Sequence, residues 1–286
     1  WRLSPDETRI AFNYQDDQGN SDVRIKDLPD GPEVRITFSE DYDRSPFWTP
    51  DGRSVTYLSR PGASGADLNV WSMRADGIGE PVLVLDDERS FGQGLWSPDG
   101  ESLVLRAAGL SDADSTLARR AILAFRPGVD SAAVPLSLAA PEFVVQAPAL
   151  SADGRWLAYQ SNEGGEAEVF IRPFPDVNAT KVRVSTEGGI APVWAKNGSE
   201  LFFIQFDPRE LSVALIAAQI DPASGQVLDR QTLFTIPDEI YAGRYEPHSD
   251  GERFLMVRRD VLDLQDAAKF VVVLNWFEEL KARVGN

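Results

Sequence analysis

A short turn motif recurs six times along the chain, and its spacing constrains the fold more than any other feature. In each copy an apolar stretch runs into an acidic or amide residue, usually followed by glycine, and a β-rich run comes next. The motif residues are Asp6, Asp51-Gly52, Asp99-Gly100, Asp153-Gly154, Asn197-Gly198 and Asp250-Gly251, with anchors 45, 48, 54, 44 and 53 residues apart. This period is typical of one four-stranded propeller blade. The sequence therefore predicts an all-β fold, a six-bladed β-propeller.

The blades follow from the repeat, because one blade cannot cover its own apolar faces and must stack on its neighbours. We expect a single propeller domain over residues 1–286. Its blades are predicted at about 1–43, 44–90, 91–143, 144–190, 191–243 and 244–276. The sixth copy shows no fourth strand, so a strand from upstream of Trp1 is expected to close the ring. Helical spacing of apolar residues predicts a short C-terminal α-helix over about 276–284.

The amino-acid composition of the chain excludes some classes of partner and site. The 286-residue chain has 28 Lys plus Arg against 45 Asp plus Glu, a formal net charge of −17, which disfavours nucleic acid because phosphate recognition needs a clustered basic surface. There are no cysteines, so disulfides, thiolate metal sites and a cysteine nucleophile are excluded. No apolar run is long enough to predict a transmembrane helix, and we expect no membrane contact by this domain itself.

The fourth to sixth copies contain more distinctive sequence segments. They contain Glu168-Val169-Phe170-Ile171-Arg172-Pro173-Phe174-Pro175, Val184-Ser185-Thr186-Glu187-Gly188-Gly189, Pro192-Val193-Trp194, Glu200-Leu201-Phe202-Phe203 and Val271-Val272-Val273-Leu274-Asn275-Trp276-Phe277-Glu278-Glu279-Leu280-Lys281. The chain thereby resembles TolB-like, WD-like propellers, as found C-terminal to the kinase domain of bacterial receptor-type serine/threonine protein kinases. The resemblance implies a sensor domain on the extracytoplasmic, periplasmic side of a bacterial membrane, tethered to a kinase that is itself membrane-anchored.

Residues with catalytic potential have simpler structural interpretations. Kinase motifs are absent from the sequence, as is the Gly-x-Ser-x-Gly of serine hydrolases, so we predict that this chain is not an enzyme. The single histidine, His248, occupies the repeat's own turn. Pairs of carboxylates are abundant, but none stands out. The loop from Asp16 to Asp22 resembles a calcium loop, yet it lacks the glycine position and closing glutamate of an EF-hand, and a solvated hairpin is favoured. No cofactor and no metal are predicted.

The loops that lead into the innermost strands are the better place for binding. In a propeller these loops line one mouth of the channel, opposite the motif turns. Here they carry aromatic and arginine side chains, the types that dominate binding hot spots. The candidate contacts at this channel mouth are Tyr42, Arg44, Arg89, Phe91, Gln93, Tyr241, Arg244 and Tyr245. The alternative is that the arginines neutralise neighbouring acids while the aromatics line a packed channel.

Three functions remain open from the sequence. The first is a non-catalytic binding or sensor module that presents the mouth to a peptide, a small ligand or a protein. The second is the gating propeller of a serine peptidase, which requires a hydrolase domain elsewhere in the protein. The third is a stand-alone TolB-like scaffold or self-assembling unit, suggested by the incomplete sixth blade.

Overall fold

The computed structural model describes residues 1–38, 42–60, 69–87, 89–107, 121–140 and 142–258, and this part of the chain is all-β. The prediction of an all-β propeller is confirmed. The strands up to residue 135 are β1 (Arg2–Leu3), β2 (Arg9–Gln15), β3 (Ser21–Asp27), β4 (Glu33–Arg35), β5 (Tyr42–Trp48), β6 (Ser54–Arg60), β7 (Asn69–Arg74), β8 (Val82–Leu85), β9 (Phe91–Trp96), β10 (Leu103–Ala107), β11 (Ile122–Phe125) and β12 (Val134–Pro135). The predicted helix over 276–284 lies outside the described residues.

The later strands complete the pattern. They are β13 (Val145–Leu150), β14 (Trp156–Gly164), β15 (Glu166–Pro173), β16 (Val182–Arg183), β17 (Ile190–Trp194), β18 (Glu200–Asp207), β19 (Ser212–Ile220), β20 (Val227–Ile236), β21 (Ile240–Pro247) and β22 (Phe254–Arg258). The chain divides into an N-terminal unit, Trp1–Pro148, and a C-terminal unit, Ala149–Asn286. A single domain and a count of six blades stay predictions.

Each sheet is an antiparallel meander in chain order. In the N-terminal unit β1 to β4 form one such array, β5 to β8 the next and β9 to β12 a third. The first two arrays meet at a single parallel pair, Ser21 with Tyr42. Beyond this unit the orders are β13-β14-β15-β16, β17-β18-β19-β20 and β21-β22. Consecutive strands of each array are antiparallel neighbours, so the start of a first strand lies beside the end of its second strand.

The sheets stack through buried apolar side chains of the middle strands. In the N-terminal unit, β6, β9 and β10 contribute Leu58, Phe91 and Leu105, all fully buried in one cluster. In the C-terminal unit a second cluster contains an aromatic group in which Phe254 meets Phe202 edge-on at 5.0 Å and Phe234 at 5.8 Å. Burial of such large side chains is the main stabilising term.

Four of the six motif turns share one side-chain hydrogen-bond arrangement. In the first four copies the hydroxyl of Ser4, Thr49, Ser97 or Ser151 donates to the aspartate two residues on and accepts the backbone N–H five residues on. The glycine that follows the anchor takes φ between 67° and 74° in the last five copies, a region that favours glycine. Glu7 takes φ 63° at this position in the first copy.

Strands β5, β13 and β17, each the first strand of its array, share a backbone feature near their first residues. Ser45, Ala147 and Ala191 each adopt a left-handed conformation, with φ of 52°, 53° and 51°, and each precedes a proline. The strand register shifts between Arg44 and Phe47 and again between Ile190 and Val193. These are β-bulges, which bend a strand and re-aim the neighbouring side chains.

Candidate binding site

Strand β5 begins with two of the predicted contact residues on one face. Tyr42 and Arg44 are two residues apart, so their side chains leave the same side of the strand. Arg60, the last residue of β6, is the cross-strand partner of Tyr42. The guanidinium carbons of Arg44 and Arg60 lie 6.0 and 5.8 Å from the centre of the Tyr42 ring, within cation–π range. The hairpin therefore gathers two cations around one ring.

A third arginine adds to this group from the neighbouring sheet. Arg44 donates to the Phe91 carbonyl of β9, and Phe91 pairs with Ala107 of β10, the residue after Arg106. Arg106 itself pairs in register with Gln93. Burial, with the positive charge of Arg44, lowers the pKa of Arg106. Burial also lowers the pKa of Arg44, with Arg60 as a further cause, while Tyr42 opposes the shift. Both guanidinium groups stay charged at neutral pH. Arg44, Arg60 and Arg106 are called the arginine cluster below.

The arginine cluster makes few contacts with acceptors. Arg44 Nη2 donates to the Phe91 carbonyl at 3.5 Å, and Arg106 Nη1 donates to the Ala107 carbonyl at 3.4 Å, both long hydrogen bonds. The Nε atoms of Arg44 and Arg60 are buried without a hydrogen-bond partner among the described residues. No carboxylate of the described chain forms an ion pair with any of the three. Two half-buried guanidinium groups of the cluster thus each have an Nε donor without an acceptor among the described residues.

Other predicted residues of this unit have structural roles instead. Arg89 forms a bidentate pair with Asp87, at 2.7 and 2.6 Å, and donates to the Ala133 carbonyl at 2.6 Å. Phe91 is fully buried in the core, so its side chain offers no surface to a ligand and its prediction as a contact is wrong. Gln93 is half-buried beside Arg106 across the β9–β10 ladder.

In the C-terminal unit, too, some of the predicted contact residues are buried and others are exposed. Tyr245 is 1% exposed and donates its hydroxyl to the Ala191 carbonyl at 2.9 Å, which corrects its prediction as a ligand contact. Complete burial raises the pKa of its phenol. Tyr241 is 43% exposed, and its ring packs on Gly243, where a Cβ would come within 2.5 Å of the ring. Arg244 is half-buried on the same strand.

The acidic side chains of the motif turns form hydrogen bonds within their own turns. Hydrogen bonds, first from the neighbouring hydroxyl, lower the pKa values of Asp51 and Asp99, so these carboxylates are held by their own turns. His248 lies 3.1 Å from Asp250 and bonds within the turn. Asp16 accepts hydrogen bonds from Gln18 and Asn20, as in a hairpin loop. No group of three or more potential metal ligands occurs in this part of the chain.

Sequence reasoning missed Arg60 and Arg106, although a signal was present. Arg60 is the last residue of β6 and Arg106 is the second-to-last residue of β10, and they pair with Tyr42 and Gln93 in antiparallel hairpins. Pairing each second strand with the strand before it predicts that these arginines lie beside the candidate contacts.

No helix with the length and apolar character needed to cross a bilayer occurs among the residues that the structure describes.

Comparisons with known proteins support the propeller. No protein-family model matches the chain. TolB from Acinetobacter baumannii superposes with a TM-score of 0.65 at 14% identity, covering 89% of this chain and 59% of that one. A putative TolB from Agrobacterium tumefaciens gives 0.60 at 19% identity, covering 82% and 79%. At these identities the likeness concerns the fold, so the chain has a TolB-like propeller fold.

Peptidases also appear among the similar proteins. A prolyl endopeptidase structure gives a TM-score of 0.59 at 14% identity, covering 90% of this chain and 39% of that one. In sequence, an uncharacterized peptidase of Bacillus subtilis (strain 168), YuxL, is 31% identical over 109 residues, which are 36% of this chain and 16% of YuxL. The matched stretch is therefore a small part of that peptidase. That the chain is not an enzyme stays a prediction.

Proposed function

We propose that this chain is a non-catalytic binding propeller and that its ligand site is built on the arginine cluster and Tyr42. The observation that supports it is the cluster itself, in which half-buried cations lack carboxylate partners among the described residues. In the rest of the described chain arginines are commonly paired, as Arg89 is with Asp87 and Arg24 with Glu33. Unpaired half-buried charge costs stability, so its presence points to a role in binding.

The cellular context is part of the proposal. The resemblance to kinase-linked propellers supports a sensor domain at the C-terminus of a membrane-bound serine/threonine protein kinase, outside the cytoplasm. In that arrangement a ligand or protein partner at the cluster would be reported to a kinase domain in the same polypeptide. The TolB-like fold is compatible with this, and it is equally compatible with a stand-alone scaffold.

A peptidase-associated propeller is the second candidate, favoured by the match to YuxL and by the prolyl endopeptidase likeness. The two candidates differ in the domain that shares the polypeptide. A kinase catalytic loop upstream would support the sensor, whereas a Gly-x-Ser-x-Gly motif in an adjoining hydrolase domain would replace it with the peptidase candidate. Sequencing the reading frame on both sides decides between them.

Binding by the chain is tested by a ligand screen read by thermal shift. Peptides, sugars, organic acids and nucleotides are added singly to the wild-type protein and to the Tyr42→Ala and Arg44→Ala variants. A compound that raises Tm of the wild type, and of neither variant, supports the proposed site. Compounds that raise the Tm of all three proteins equally would contradict the proposed site. A parallel assay with peptide substrates checks for hydrolysis.

A further inference from the structure

The arginine cluster has a chemistry that narrows the class of ligand. Guanidinium groups are planar forks that match two oxygens of a carboxylate or a phosphate. Arg44 and Arg60 each have a buried Nε that donates to no acceptor among the described residues. An oxyanion is the ligand that can satisfy such donors and neutralise the mutual repulsion of the cations at the same time.

Geometry holds the arginine cluster in place. The guanidinium carbons of Arg44 and Arg60 lie 6.0 and 5.8 Å from the centre of the Tyr42 ring, and these contacts restrain both side chains. The Nη2 of Arg44 is further tied to the Phe91 carbonyl of the adjacent sheet. Because the β-bulge at Ser45 follows Arg44 directly, the strand bends next to this side chain. The positive groups are therefore largely preorganised before a ligand arrives.

The nearest acid on the same strand has a different position. Asp43 lies between Tyr42 and Arg44, so its side chain leaves the opposite face of β5, and it is buried. The whole chain carries a formal charge of −17, so a cluster of three arginines is a local exception to its electrostatics.

We propose that Arg44, Arg60 and Arg106 form a binding site for an oxyanion of small-molecule size, a carboxylate or a phosphate group. The inference rests on the proposed binding function and adds the chemical class of the ligand. The ring of Tyr42 forms one side of the site and allows an apolar or sugar portion of the ligand to pack beside the charged group.

The test is titration calorimetry with inorganic phosphate and, separately, with citrate, at constant ionic strength set by sodium chloride. The proteins are the wild type, Arg44→Gln, Arg60→Gln, Arg106→Gln and a matched control, Arg209→Gln, whose side chain is exposed in the loop after β18. Saturable binding is expected for the wild type and the control. Each substitution in the cluster is expected to weaken it about ten-fold or more, as for a lost charge-assisted hydrogen bond.

A stability measurement removes the ambiguity of a variant that fails to fold. In chloride buffer without phosphate or citrate, Arg44→Gln is expected to melt at or above the wild-type temperature, because it relieves repulsion from Arg60 and Arg106. A lower melting temperature would indicate a structural role and overturn the proposal. Arg44→Lys keeps the charge but loses the fork, and it is expected to bind at least several-fold more weakly.

The outcomes separate this inference from the proposed function. Binding of phosphate alone supports a phosphorylated ligand, and binding of citrate alone supports a carboxylate ligand. If neither probe binds the wild type, or if Arg44→Gln binds like Arg209→Gln, the oxyanion site is wrong. The binding function survives that result when the thermal-shift screen yields a neutral ligand or a protein whose effect disappears in Tyr42→Ala.

Discussion

The charged side chains near the two ends of strand β5 have opposite surroundings: hydrogen bonds stabilise the charge of one, and burial destabilises the charge of the other. At its C-terminal end the Asp51 carboxylate accepts hydrogen bonds from Thr49 Oγ1 at 2.7 Å and the Arg53 amide at 3.0 Å, and these bonds lower its pKa. At its N-terminal end the pKa of Arg44 is lowered by burial and by a like charge. The fold stabilises the charge at one end and is destabilised by the charge at the other. Structure is maintained at the turns, and binding is expected where charge is unsatisfied.

The largest predicted change in the free energy of unfolding distinguishes a core residue from an exposed one among the candidate contacts. Tyr245→Ala is expected to lower the free energy of unfolding by about 3–5 kcal/mol, because it leaves a cavity in the aromatic cluster. Tyr241→Ala, on the same strand, is expected to change it by less than about 1 kcal/mol. Urea unfolding measures both. Equal losses for the two variants would remove the distinction between the core and exposed ends of β21.

A smaller effect is expected where an arginine has a structural partner. Arg89→Ala leaves the buried carboxylate of Asp87 without its bidentate partner, and we expect a loss of about 1–3 kcal/mol. Burial acts to raise the pKa of Asp87, but the bonds from Arg89 and the backbone outweigh it and leave that pKa lowered. Adding Asp87→Ala to Arg89→Ala is expected to recover part of the loss. No loss in the single variant would make Arg89 a binding candidate again.

A turn variant is expected to change stability without changing ligand affinity. Ser97→Ala removes a hydroxyl that donates to Asp99 and accepts the Ser102 amide, which we expect to cost about 1 kcal/mol. Its affinity for phosphate and citrate should equal that of the wild type, in contrast to Arg44→Gln. Unfolding and calorimetry on the same preparations make this comparison. A change in affinity would mean that the turns and the cluster are coupled.

The smallest predicted effect is a dependence on pH. The pKa of Asp99 lies below its ordinary value of 3.8, first because of the bond from Ser97, so the stabilisation it gives is present above that value and is lost as pH falls through the folded-state pKa. The stability difference between wild type and Asp99→Asn should therefore be largest near neutral pH and shrink below about pH 4. Urea unfolding at pH 6 and pH 3 tests this. A difference that is constant with pH would contradict it.

Much of the fold was accessible from the sequence because its determinants are local. The motif turns need glycine at φ near 70°, and a hydroxyl and a carboxylate two residues apart, so they leave a regular signature. A left-handed residue followed by proline also recurs, at Ser45-Pro46, Ala147-Pro148 and Ala191-Pro192, but each pair lies inside a strand. Only the pairing of strands reveals that these positions are equivalent.

The proposed binding site can be predicted only in part from the sequence, because it depends on neighbours that are distant along the chain. The position of Tyr42 and Arg44 in a predicted loop points to them, but Arg60 and Arg106 lie near the ends of second strands. Phe91 and Tyr245 look like surface aromatics in the sequence and are core residues in the structure. Burial of an aromatic side chain is decided by the stacking of sheets, which a single strand does not show.

The left-handed residues Ser45, Ala147 and Ala191 also bear on how such a protein avoids aggregation. Each is followed by a proline, which has no amide hydrogen to donate, and β13 and β17 are edge strands of their sheets. A partly folded chain would expose these borders as templates for amyloid-like growth. A kink and a missing donor near the start of the strand interrupt that template, so we expect these residue pairs to reduce aggregation of the partly folded chain.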